Sequence, residues 1–189
     1  MKRAATFLSF VLVTVAMLTA QSLTARVDRD QLHIVSPRVH FLTGEALNRL
    51  RDGATVVYAL QLTVRGERAG KALARTEERF AVSYDLWEEK FAITKLGQSP
   101  RSVSHLSAAA AEAWCVENTA IPIGVLPGDA AIWLRLDYRA DNSTTSDQQD
   151  TSSFTLSGLI DIFSRRPRSE QVHGSEEVGP LRLDTLRKK

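Results

Sequence analysis

A single cysteine, Cys115, stands among the 189 residues. It cannot close an internal disulfide, and it excludes a zinc site built on several thiolates. Only one long apolar run is present, at the N-terminus, which excludes a protein with several membrane-spanning helices. No internal repeat appears at a solenoid period. Neither sign of charge dominates: 24 basic and 22 acidic residues leave a formal charge of +2. What remains is 43% hydrophobic and 24% charged, an ordinary globular composition rather than a collagen-like, coiled-coil or disordered one. The length suits one domain.

Residues 1–25 have the layout of a secretory signal peptide. Lys2 and Arg3 precede an uncharged, mostly apolar run from Ala4 to Ala20. Small residues then offer cleavage after Ser22 or after Ala25. The other reading is an uncleaved anchor at the short limit of a spanning helix, with Lys2 and Arg3 inside. Both place the rest of the chain outside the cytoplasm, either in the periplasm or extracellular space or tethered to a membrane. Loss of residues 1–25 removes two basic residues and no acid, leaving 22 of each sign. The body shows no concentrated basic face of the kind nucleic-acid binding needs, so no nucleic-acid partner is expected.

Period-2 alternation predicts strands. In Thr55–Val64 the even positions are Val56, Tyr58, Leu60, Leu62 and Val64. In Ala130–Arg139, Ile132, Leu134, Leu136 and Tyr138 share one side; Trp133, Arg135, Asp137 and Arg139 share the other. Arg79–Tyr84 and Lys90–Leu96 supply two more strands around a turn at Asp85–Glu89, and Gly66–Lys71 is the turn before them. Leu32–Val35 reads as an edge strand before Pro37, and Ile121–Val125 as another short one. A helix is predicted over Ser104–Cys115, capped by Ser104, with Leu106, Ala110, Ala113 and Trp114 on its apolar face. A weaker helical turn covers Gly44–Arg51.

The expected fold is mainly β: an antiparallel β-sandwich-like domain with one or two short packed helices. Its segments are a leader or anchor at 1–25, a globular domain at 26–139 and a flexible loop at 140–153. A short amphipathic helix follows at 154–165, with Leu156, Leu159, Ile160 and Phe163 in a stripe, then a polar basic tail at 166–189. The helix is expected to dock on the domain's own sheet; the alternative is a partner or a weak membrane-surface contact made with the basic tail.

Several of these pieces resemble a known set in order. They are Leu50-Arg51-Asp52-Gly53 before a long alternating strand, the Ser83-Tyr84-Asp85 corner, the Phe91–Leu96 strand, the Ala-rich helix and Ile132-Trp133-Leu134-Arg135-Leu136. Over roughly residues 32–139 the chain resembles an exported bacterial family known as domain-of-unknown-function family 4390. The resemblance implies a bacterial envelope protein and carries over no catalytic residues, since the family has none assigned.

No residue is marked for catalysis, cofactor binding or metal ligation. Gly66-x-x-x-Gly70-Lys71 has three residues between its glycines where a phosphate loop has four, and Ala72 follows the lysine, so it reads as a hairpin turn. His33 and His40 are too sparse for a metal site. Glu77, Glu78, Asp85, Glu88 and Glu89 have basic neighbours and read as a solvated, ion-paired hairpin. No Gly-x-Ser-x-Gly elbow is present. Cys115 beside Trp114 reads as a packed or half-exposed thiol rather than a nucleophile. Trp133, Arg135 and Arg139 form a candidate interaction face, because Trp and Arg are enriched at binding hot spots. The favoured alternative is that a second sheet or the C-terminal helix covers this face.

The expected function is therefore non-enzymatic: an exported domain that binds an envelope protein or cell-wall component. The alternative is a β-sandwich that holds a small apolar or lipid ligand in a cavity lined by Tyr58, Phe80 and Leu134. A hydrolase is the third reading.

Overall fold

The computed structural model describes residues 23–127, 130–141 and 172–186. The longest alternating segment becomes the centre of the molecule. Strand β3 (Val56–Arg65) buries Val56, Tyr58, Leu60, Leu62 and Val64. It pairs antiparallel with β4 (Ala72–Asp85), which sets Phe80 opposite Tyr58 and Val82 opposite Val56. On its other side lies β8 (Ala131–Asp141), with Leu136 opposite Leu62 and Leu134 opposite Val64. Strands β5 (Lys90–Leu96) and β6 (Arg101–Leu106) extend one flank and β9 (His173–Arg182) the other. The result is a six-stranded antiparallel sheet of order β6-β5-β4-β3-β8-β9.

A smaller sheet covers it. Strands β1 (Thr24–Asp28), β2 (Gln31–Val35) and β7 (Ile121–Pro122) form an antiparallel trio of order β1-β2-β7. Helix α1 (Gly44–Arg51) packs on β3 and β4, and α2 (Ala108–Glu117) packs on β2, β5 and β6. A terminal turn of helix, α3 (Leu183–Leu186), buries Leu183 beside β1. Both sheets and both longer helices contribute to one apolar core. The domain is mainly β and sandwich-like, and Leu60, Leu62, Phe80, Val82, Leu134 and Leu136 are all buried.

Several local expectations need correction. β2 pairs on both sides, so it is the centre of its sheet rather than an edge. The helix begins at Ala108, not Ser104. Ser104 lies in β6, where Val103 stands opposite Ile93, and Ser107 is the cap, its Oγ accepting from the Ala110 amide at 3.3 Å. The helix buries Ala111, Glu112, Cys115 and Val116 instead of the expected stripe. Ala110 and Ala113 are exposed, and half-buried Trp114 meets the edge of Phe80 at 5.9 Å between ring centres. β1 begins at Thr24, inside the segment read as leader.

The largest correction concerns the polar tail: residues 173–182 are strand β9, paired with β8. Main-chain pairing and two close packings hold it there. A β-bulge sets Gly179 near Trp133, and Gly174 lies beneath the Tyr138 ring. In both places the missing side chain is what lets an aromatic ring lie against the backbone. The predicted helix at 154–165 lies outside the described residues, as do residues 1–22.

Candidate functional site

The three residues expected to form an interaction face do share one face of β8, but each is engaged. The Arg68 guanidinium stands 5.4 Å from the centre of the half-buried Trp133 ring, and Arg68 Nε donates to Glu177 Oε1 at 3.1 Å. Arg135 Nε donates to Asp137 Oδ1 at 2.9 Å, and Arg139 to Glu77 at 3.1 Å. This face is a lattice of opposite charges laid over β3. Its small residues Ala59 and Thr63 are buried between arginine-bearing positions of β4 and β8.

A different aromatic is open. Trp87, in the turn between β4 and β5, is 97% exposed, and its neighbour Leu86 is 57% exposed. The backbone beneath them is fixed. Asp85 Oδ1 accepts from the Trp87 amide at 2.8 Å and from the Glu88 amide at 3.0 Å. Those two amides, Glu88 first, hold the Asp85 carboxyl below its ordinary range. Glu89 closes the turn with a left-handed backbone at φ 54°. The neighbouring strand braces the tip. A register irregularity in β6 places His105 at φ 63°, its Nδ1 2.8 Å from Ser104 Oγ and its Nε2 3.0 Å from Glu88 Oε2. Bulges and positive-φ residues of this kind re-aim side chains at functional positions.

The sequence marked Asp85–Glu89 as a turn and its acids as ion-paired, but did not single out Trp87. A signal was available. An apolar pair in the middle of a tight turn between two alternating strands has no core to face.

A second cluster has the composition of a hydrolytic triad without its geometry. His40 Nδ1 lies 2.9 Å from Glu112 Oε2, and Ser36 lines the same apolar cleft. Ser36 Oγ, however, is buried and makes no hydrogen bond. Glu112 Oε1 accepts from the amides of Phe41 and Leu42 at 2.7 and 2.8 Å. A buried carboxylate with three partners in one segment clamps residues 40–42 onto α2. Burial, with the nearby Glu112 charge, pushes the Cys115 thiol well above its ordinary range, the opposite of an activated nucleophile. Tyr58 is displaced upward by burial too, and its hydroxyl has no partner.

Compared with protein-family models, curated proteins and solved structures, the chain finds no match.

Proposed function

We propose that the chain is an exported, non-catalytic envelope domain that binds a protein partner through the Leu86-Trp87 tip. On this reading it is an envelope protein like those of the family its motif order resembles. The observation that carries the proposal is Trp87, almost wholly exposed on a backbone held by two amide hydrogen bonds to the Asp85 carboxylate. Tryptophan is a common binding hot spot. A tip that is already ordered loses little conformational freedom on binding.

Charge narrows the partner. Asp85, Glu88 and Glu89 surround the tip, with Lys90 and His105 beside them. A pocket that takes the indole should therefore be apolar with a basic rim. The same acids disfavour insertion into an anionic membrane surface.

The alternative of an apolar ligand required a cavity lined by Tyr58, Phe80 and Leu134. All three are fully buried, Tyr58 against Phe41 at 4.7 Å and Phe80 against Trp114. That packing favours the interaction reading.

The test is a photo-reactive amino acid at position 87 in cells that make the protein. One discrete cross-linked protein from position 87, and none from the same probe at Arg51 on α1, is the expected result. No adduct at 87, or the same adducts from both positions, would overturn the proposal.

A further inference from the structure

The alternation that builds the core is broken at two neighbouring points. Glu78 and Lys95 occupy the phase of β4 and β5 that elsewhere carries Phe80, Val82 and Ile93, yet both are charged. They meet as an ion pair at 3.0 Å, and Lys95 Nζ also donates to the Asn118 carbonyl at 3.0 Å. Buried or half-buried ion pairs are rarely more stabilising than apolar side chains of the same size. At this point the core opens into a cleft of about 410 Å³ between the two sheets.

The charges of the cleft do not balance. Arg101 stands directly opposite Lys95 across the β5–β6 pair, and both line the cleft. Like charges at directly opposed positions are destabilising. Among the described residues Glu78 is the only carboxylate lining the cleft, and Lys95 already engages it. Arg101 has no hydrogen-bond or ion-pair partner among the described residues. His33 forms the facing wall from β2. Its Nδ1 lies 2.8 Å from the Glu117 carbonyl, which can only accept, so Nδ1 donates to it and fixes the ring on that wall. Leu96 and Ala120 add apolar surface.

We infer that this cleft binds a small organic carboxylate, with the Arg101 guanidinium as its principal contact and Lys95 as the second cation. A planar guanidinium fork matches a carboxylate in two parallel hydrogen bonds. The cleft falls in the range of small-molecule sites and is far larger than a bare ion needs. The apolar wall takes the carbon skeleton. The Lys95–Glu78 pair holds its own geometry, so the site is formed before the ligand arrives. This site is separate from the Trp87 tip and does not depend on it.

The test uses the purified protein, isotopically labelled and titrated with succinate at constant ionic strength, with sodium chloride as the control. Saturable shifts confined to Lys95, Gly97, Ser99, Arg101 and the His33 ring are expected. Arg101→Gln should weaken them about tenfold or more, and Arg101→Lys should weaken them less. Arg101 is exposed, so unchanged melting temperatures would show that both variants remain folded. No saturable shift with succinate, or equal binding by Arg101→Gln, would overturn the inference. Tighter binding of inorganic phosphate than of succinate would overturn the carboxylate assignment.

Discussion

Trp133 and Gly179 meet across the β8–β9 pair so closely that a Cβ on Gly179 would stand 2.6 Å from an indole ring carbon. That contact fastens a polar edge strand to the sheet. Gly179→Ala must therefore move the ring or the strand. Overpacking of this kind costs about 1–3 kcal/mol. Urea unfolding should show a lower midpoint, and the Trp133 signal should change its environment. A variant as stable as the parent would mean that β9 is held in some other way.

Glu112 should divide sharply between two substitutions. Glu112→Ala leaves the buried amides of Phe41 and Leu42 without an acceptor, at roughly 1–3 kcal/mol for each unsatisfied group. Glu112→Gln keeps one carbonyl oxygen for both amides and loses mainly the His40 contact. The alanine variant should thus be the less stable by a wide margin in a thermal or denaturant melt. Equal losses would show that the clamp depends on charge rather than on the two amides.

Acid should loosen the hairpin tip. The Asp85 carboxyl is held below its ordinary value by the Glu88 and Trp87 amides. A depressed native value means that its contribution is fully present above the ordinary aspartate range and is lost as pH falls through the native value. Amide protection at Trp87 and Glu88, taken relative to the intrinsic exchange rate, should fall only below the ordinary range. Asp85→Ala should show fast exchange at every pH. Protection unchanged through that acid range would contradict the role given to Asp85.

The processed N-terminus, on the export reading, should be Leu23. Leu23 is fully buried in the core, and Thr24 opens β1 opposite Val35. Cleavage after Ser22 leaves β1 whole, whereas cleavage after Ala25 removes Leu23 and two of its five register pairs. Intact mass of the exported protein distinguishes the two, and a chain beginning at Arg26 would contradict the prediction.

Much of the large sheet was legible because β3, β5 and β8 bury alternate apolar side chains. Sequence periodicity reports burial, and here burial and pairing coincide. β9 was not legible. Its Ser175-Glu176-Glu177 run has no apolar alternation, and two of its holding contacts involve glycines that offer no side chain to read. The start of α2 was misplaced because alanine propensity says where a helix is tolerated, while Val103 opposite Ile93 decides where the strand ends. The exchange of Ser104 for Ser107 as cap follows from that. At the candidate sites, sequence found residue types but not partners. Trp133, Arg135 and Arg139 share a face as expected, and the same alternation puts Asp137 beside Arg135, yet Arg68 and Glu77 engage Trp133 and Arg139 from positions no local pattern could supply. Trp87 and the Lys95–Arg101 opposition were present in the sequence. Their meaning depends on strand register.

The central claim is that Trp87 is the binding anchor, and its most direct test is the affinity of the partner cross-linked at position 87 for the parent protein and for Trp87→Ala. The exposed indole contributes little to the fold, so both proteins should melt at the same temperature. The account predicts binding about thirtyfold weaker or more for Trp87→Ala, the scale of a hot-spot residue. Equal affinity of the two proteins for that partner would contradict it.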